Sequence, residues 1–346
     1  VLRFEEEDAL TLPAGQWSAE QATRWYARQP WFVGCNFIPS TACNQLEMWQ
    51  GETFDPVTID RELGWASAVG MNVVRVFLHD IAWQVDPAGF RERVRTFLRI
   101  AARHGIRTAF VLFDDCWNAD PSPGPQPPPI IGVHNSRWLQ SPGVAIVNDA
   151  SAWGRLEAYV KDAVGAFRSD RRVVFWDLYN EPGNSGQGEL SLPLLRRAFQ
   201  WARSVHPSQP LTSGLWTDSP RLNEFQLLQS DIITFHNYGD VESLRSHIHN
   251  LRRYGRPILC TEWMARPTST IPTHLPLFKE QGVGCTLWGL VAGKTQTIYP
   301  WGSQPSGSEP TVWFHDLLRP DGTPYDAEEV RVLRELTGTK TKKPSS

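Results

Sequence analysis

Two runs of buried character each stop on a glutamate. One is Val173-Val174-Phe175-Trp176-Asp177-Leu178-Tyr179-Asn180-Glu181-Pro182, the other Pro257-Ile258-Leu259-Cys260-Thr261-Glu262-Trp263. A β-branched and aromatic run that ends on a carboxylate reads as a strand of a parallel sheet delivering an acid to its C-terminal rim. Such an acid is costly there unless it is paired or functional. Two carboxylates facing one another can cleave a glycosidic bond: one protonates the leaving oxygen and the other attacks the anomeric carbon.

The elements needed to position them recur along the chain. Strand-like runs fall near Phe32–Phe37, Asn72–Leu78, Arg107–Phe113, Val173–Tyr179, Leu211–Trp216, Asp231–His236, Pro257–Glu262 and Gly284–Gly289. Between them lie amphipathic stretches, such as Phe90, Val94, Phe97, Leu98 and Ala101 on one face, started by Asp86-Pro87 and stopped at Gly105. Strict alternation implies parallel strands with right-handed crossovers. Eight units point to an α/β fold of one domain, a closed (β/α)8 TIM barrel. No glycine-rich phosphate turn follows the first strand, which argues against an open nucleotide-binding sheet. The expected organisation is an N-terminal extension, residues 1–30, packed on the barrel bottom with a helix from Ala19 to Arg28. The barrel follows over 31–337, then a polar, disordered tail over 338–346.

Composition narrows the classes. A net charge of −3 gives no reason to expect nucleic acid, and no apolar stretch reaches the ~20 residues of a membrane span. The 16 tryptophans exceed what a core needs, leaving some to stack on sugar rings. The first residue is Val1 and not Met, which leans towards a removed leader and export to a secreted or periplasmic location. Five cysteines cannot all pair, none has zinc-site spacing, and a Cys35–Cys43 bridge is open.

Reading the strand ends in order gives Arg75 and His79-Asp80, then Asp114-Asp115, Asn180-Glu181, Trp216, His236-Asn237-Tyr238, Glu262 and Trp288. The fourth and seventh ends face each other across the mouth of such a barrel. With these residues the chain resembles clan A glycoside hydrolases, and among them the family 5-like cellulase and mannanase group, over roughly residues 31–337. The resemblance implies a retaining glycoside hydrolase with Glu181 as acid/base and Glu262 as nucleophile. It further implies Asn180 on the sugar 2-OH, Arg75 and Tyr238 on Glu262, His236 beside Glu181, and Trp288 as the sugar's floor. Family 5 members commonly carry a histidine just after the third strand, where this chain has Phe113-Asp114-Asp115-Cys116-Trp117. Asp114, Asp115, His79 and Asp80 are therefore candidates for sugar hydroxyls, and Glu47 and Trp49 in the first-strand loop join them.

Two insertions, Asp114 to about Ala150 and Val291 to about Pro310, follow strands and lean towards a pocket or a blocked groove. The partner is an oligosaccharide or polysaccharide, β-glucan, β-mannan or a related β-linked glycan. No metal or organic cofactor is implied. Two alternatives stand beside hydrolysis. One is a non-catalytic sugar-binding barrel; the other is a transglycosylase, for which Trp117, Trp138 or Trp301 would hold the acceptor.

Overall fold

The computed structural model describes residues 13–339. Its strands are β1 (Val33–Asn36), β2 (Val73–Phe77), β3 (Arg107–Asp114), β4 (Val173–Asn180), β5 (Leu211–Thr212), β6 (Ile233–His236), β7 (Ile258–Glu262) and β8 (Gly284–Trp288), alternating with helices. Neighbouring strands are parallel, in the order β5-β4-β3-β2-β1-β8-β7-β6. The two ends of that order meet at a parallel bridge between Leu215 and Phe235. There Leu215 N donates to Thr234 O at 2.9 Å and His236 N to Leu215 O at 2.8 Å, closing a single (β/α)8 TIM barrel.

Local chemistry sets the elements. Helix Pro87–Arg103 begins with Pro87 in its first turn and Asp86 accepting from Gly89 N. Phe90, Val94, Phe97, Leu98 and Ala101 turn inward and are buried, and each large side chain among them stabilises by roughly 1.5–3 kcal/mol. β1 and β2 approach so closely that a Cβ on Gly34 would lie 1.7 Å from Val73 O, so only glycine fits there.

The strands' N-terminal end is closed by apolar packing. Phe32, Val73, Ala109, Phe175, Ile232 and Leu259 form a cluster with Ala22 of helix Ala19–Tyr26, flanked by Trp17, Trp25 and Tyr26. Trp17 N donates to Asp231 Oδ1 at 2.9 Å and Gly284 N to the Tyr26 hydroxyl at 2.8 Å, pinning residues 17–26 to the barrel. The expected extension's residues 1–12 and the expected tail's residues 340–346 lie outside the described residues.

Three expectations change. β5 is cut to Leu211–Thr212 instead of running to Trp216, because Ser213 turns its hydroxyl to Tyr179 O at 2.8 Å and Gly214 follows. The stretch after β1, expected as a rim loop, forms helix Gln45–Trp49, with Asn44 capping it by accepting from Glu47 N. Cys35 and Cys43 do not bridge: all five cysteines are free and buried.

Candidate active site

The site is built around one buried cation at the strands' C-terminal ends. Arg75 of β2 is inaccessible to solvent, and four residues from three other strands satisfy its guanidinium. Its Nη1 donates to Glu262 Oε1 at 2.9 Å and Asn36 Oδ1 at 2.7 Å. Nε and Nη2 reach Asp177 Oδ2 at 3.1 and 2.8 Å, and Nη2 also reaches Asn180 Oδ1 at 2.6 Å. A buried charge persists only when paired and fully hydrogen-bonded, as here. Arg75 thereby fixes Glu262 and Asn180 relative to one another.

The second Glu262 oxygen, Oε2, accepts from the Tyr238 hydroxyl at 2.9 Å. His236 Nδ1 lies 2.7 Å from Glu181 Oε1 and 3.6 Å from Glu262 Oε2. One oxygen of each glutamate and one nitrogen of His236 all fall within 4.8 Å of one another. Glu181 Oε2 takes hydrogen bonds from Asn184 Nδ2 at 2.5 Å and Cys116 Sγ at 3.3 Å. Glu181 sits at the turn after β4 with φ 42°, a left-handed backbone that costs energy in a residue with a Cβ. Three other residues around the same cavity share that trait: Trp117 (φ 71°), Asn135 (φ 46°) and Ser185 (φ 52°).

Electrostatics couples the three groups. Burial opposes charge on Glu181, yet hydrogen bonds from His236, Cys116 and Asn184 outweigh it and hold the carboxyl below its usual range. Burial, aided by the Glu181 charge, holds Glu262 above its usual range against His236, Arg75 and Tyr238. Burial lowers His236, but the charges of Glu262 and Glu181 overcome this and raise it. With Glu181 held low and His236 held high, the proton of their 2.7 Å contact rests on His236.

These groups open on a cavity of about 740 Å³. Trp288 lines it, held edge-on by Phe77 and Trp138 at centroid distances of 5.7 and 5.5 Å. Trp216 also lines it, its Nε1 donating to Pro182 O at 3.0 Å beside Glu181. Trp117 and Trp301 stand at the mouth, 40% and 47% exposed. Trp138 reaches the cavity from a buried position, its Nε1 on Asp114 Oδ2 at 2.7 Å.

The remaining candidates from the sequence stand off the cavity. Asp114 is behind it: Oδ1 accepts from Asn180 Nδ2 at 3.0 Å and from Cys116 N at 2.9 Å, and burial pushes its carboxyl up to about 7. Asp115 binds the Tyr179 hydroxyl at 2.6 Å and Gly183 N at 2.7 Å, bracing the turn that carries Glu181. His79 Nε2 contacts Gln140 O at 3.0 Å, and Asp80 accepts from the Ser141 hydroxyl at 2.7 Å and pairs with Arg155. That pair anchors the returning limb of the first insertion. Glu47 accepts from Cys43 N at 2.7 Å and Lys294 Nζ at 2.5 Å, while Trp49 is core, packed on Phe90 and Phe97.

Sequence reading missed Asn36 and Asp177 under Arg75, and Cys116, Asn184, Ser185, His134 and Asn135 on the cavity. Asn36 and Asp177 did carry a signal, as polar residues inside otherwise apolar strands. His134 and Asn135 belong to the proline-rich insertion and carried none. They are placed by the second insertion: His134 N donates to Ser303 Oγ at 3.0 Å, Asn135 N to Thr295 O at 2.9 Å, and Gly132 N to Gln296 Oε1 at 2.8 Å.

Comparison with known proteins gives a partial match to one family. The sequence model described as cellulase (glycosyl hydrolase family 5) matches residues 129–293, which take in Glu181, His236, Glu262 and Trp288. None of the curated proteins compared matches the chain. Among solved structures, an exo-β-1,4-mannosidase from Opitutaceae bacterium strain TAV5 superposes with TM-score 0.63 at 18% identity, covering 95% of this chain and 63% of that one. The present chain thus spans less than two thirds of that mannosidase. An endo-β-1,4-mannanase from Thermotoga petrophila gives TM-score 0.59 at 15% identity, with 91% and 77% covered. A β-1,4-mannanase from the sea hare Aplysia kurodai gives 0.56 at 16%, with 75% and 88% covered. At these identities the likeness is one of fold.

Proposed function

We propose that the chain is a clan A glycoside hydrolase of the family 5 type that cleaves β-glycosidic bonds with retention, using Glu262 as nucleophile and Glu181 as acid/base. One observation carries this reading: two carboxylates and a histidine within 4.8 Å, enclosed in a cavity, with one carboxylate clamped by a buried arginine. One oxygen of each carboxylate within 4.8 Å supports the close arrangement of double displacement, ~5–5.5 Å, over the wider ~6.5–9.5 Å of inversion.

In the first step His236 passes its Nδ1 proton across the 2.7 Å contact to Glu181, and Glu181 delivers it to the leaving oxygen as Glu262 attacks the anomeric carbon, breaking the glycosidic C–O bond and forming a glycosyl ester. Esterification removes the Glu262 charge. Glu181 then sheds a repulsive neighbour, its carboxylate becomes the favoured form, and it takes a proton from the incoming water as that oxygen attacks the anomeric carbon and breaks the ester bond, releasing the Glu262 carboxylate. His236, donating from Nδ1, stabilises that carboxylate. Asn180 spends one N–H on Asp114 and shares the other only with the weak acceptor Cys116 Sγ at 3.5 Å, so it is available to the sugar 2-OH. Trp288 offers the apolar floor.

The substrate class is a β-linked gluco- or manno-configured glycan. The mannan-active names of the three fold neighbours favour β-1,4-mannosides as the first to try. The test is a panel of aryl β-glycosides and β-linked polysaccharides run beside Glu181→Gln and Glu262→Gln. Each substitution should abolish turnover, and azide should restore it, with retained configuration, only to Glu262→Ala. Activity that survives the loss of Glu262 would sink the mechanism.

A further inference from the structure

The two insertions meet and form a wall. Besides the contacts already given, Gln296 Nε2 donates to Ile130 O at 2.7 Å and Ser306 N to Ile131 O at 3.0 Å. Gly132 sits at the join with φ 84°, and a Cβ there would lie 2.4 Å from Ser306 N. The wall reaches from Glu262 round to the Glu181 side, where Trp117 packs on His134 at 5.4 Å and its N donates to Ser185 Oγ at 3.1 Å. Trp301 packs edge-on against Tyr238 at 4.9 Å, and Tyr238 holds Glu262. Trp138, three residues after Asn135, packs on Trp288 at 5.5 Å. Asn184, Ser185 and Trp216 line the cavity beside Glu181. The leaving group departs over the acid/base, so the body of the sugar bound above Glu262 points at the wall.

Two acceptors in this wall have no donor. His134 and Asn135 line the cavity while 2% and 1% exposed, and His134 Nε2 and Asn135 Oδ1 are buried without a hydrogen-bond partner. His134 Nδ1 lies 2.7 Å from Tyr299 O, a contact only an N–H can make, which leaves Nε2 as an acceptor. Burial lowers the imidazole to about 4, so it stays neutral at ordinary pH. A buried polar atom without a partner costs of order 1–3 kcal/mol, and adjacent orphans lining a binding cavity mark a place where a ligand supplies the donors.

We propose that His134 Nε2 and Asn135 Oδ1 accept hydroxyl hydrogens from the non-reducing terminal sugar, and that the wall carrying them makes the enzyme exo-acting. This rests on the glycosidase reading above and deepens it. A chain cannot continue past the terminal residue, because the joined insertions fill its path. Sugar hydroxyls complete what the protein leaves open, so a sugar lacking one of them is rejected.

The test uses reducing-end-labelled β-1,4-mannohexaose and cellohexaose, with products sampled early. The expected result is free monosaccharide together with the labelled pentamer and no labelled fragments from interior cuts. His134→Phe and Asn135→Ala should each lower kcat/KM roughly tenfold on the trisaccharide while keeping the parent's thermal midpoint. A monodeoxy aryl glycoside series supplies the coupling: the deoxy sugar that loses rate with the parent should lose little further with Asn135→Ala. Gly132→Val, which drives the wall apart, should begin to release disaccharide. Interior cleavage by the parent from the first time points overturns the proposal and leaves the glycosidase reading standing, as does an unchanged kcat/KM in both acceptor variants. Absence of turnover on every β-glycoside, with Glu262→Gln indistinguishable from the parent, removes the glycosidase reading and this proposal with it.

Discussion

The two ends of the barrel are built from the same strands and share almost no chemistry. At the N-terminal end Val73, Ala109, Phe175 and Leu259 close on one another beneath Trp17, Trp25 and Tyr26. At the C-terminal end the same β2, β4 and β7 present Arg75, Asp177, Asn180 and Glu262. The first end is ordinary apolar packing, where volume decides stability. The second is a charged interior that survives only because each group is another's counter-ion, and four non-glycine residues around it adopt left-handed backbone. One fold thus separates a part that holds from a part that reacts.

Substitutions can test that separation. The largest effect is expected from Asp177→Ala, which strands Arg75 with less counter-charge. Breaking a buried pair costs about 3–5 kcal/mol, and both the urea midpoint and kcat should fall together. Leu259→Ala at the opposite end should cost roughly 2–5 kcal/mol by leaving a cavity, yet leave kcat and KM near the parent's at a temperature where both are folded. If Leu259→Ala lowered kcat as Asp177→Ala does, the two ends would not be separable. Tyr238→Phe removes one hydrogen bond to a charged carboxylate, an interaction of about 1.5–3 kcal/mol. A ten- to hundredfold drop in kcat/KM with little change in melting is expected.

The smallest effect is a pH slope. Burial raises Asp115 and Asp316 to about 6 and Asp114 to about 7, above their unfolded values. A group whose folded pKa is raised contributes stability that is full below the unfolded pKa and is lost as pH rises through the folded one. Between about pH 4 and pH 7 these three groups therefore lower stability as pH rises. Asp80 runs the other way, held down at about 2 by His79, Arg155 and Ser141 against its burial; its contribution is lost only below about pH 4. Asp316→Asn, which keeps a partner for the Thr297 hydroxyl, should flatten part of the slope in a urea-midpoint series. A slope unchanged by that substitution would remove Asp316 from the account.

The barrel and its strand-end groups were legible because they obey local rules. A run of buried residues must become a strand, and the residue that ends it must lie at the rim. Glu181, Glu262 and His236 follow from that rule, while Arg75 inside β2 and Tyr238 beyond β6 follow from the resemblance. The failures share one cause, which is that contact partners decided the outcome. Trp49 was read as a rim residue, but the helix capped by Asn44 rotates it into the core against Phe90 and Phe97. Asp114, Asp115, His79 and Asp80 lie at strand ends as expected, yet turn towards Asn180, Tyr179 and the insertion and away from the cavity. His134 and Asn135 carry no periodicity and sit in proline-rich sequence, and their position depends on residues more than 150 positions later.

The barrel's seam has a further consequence. β5 and β6 share no regular ladder and are joined by three backbone hydrogen bonds, at Leu211 and on both sides of Leu215, with side-chain contacts from Asp231 to Leu211 N and between Thr212 and Thr234. A junction with few bonds is where a closed sheet breathes at least cost. His236, which clasps Glu181, is one of the residues stitched there. Slow amide exchange at His236 would report an intact His236–Glu181 contact, and faster exchange on warming or acidification would signal that this contact loosens before the fold melts.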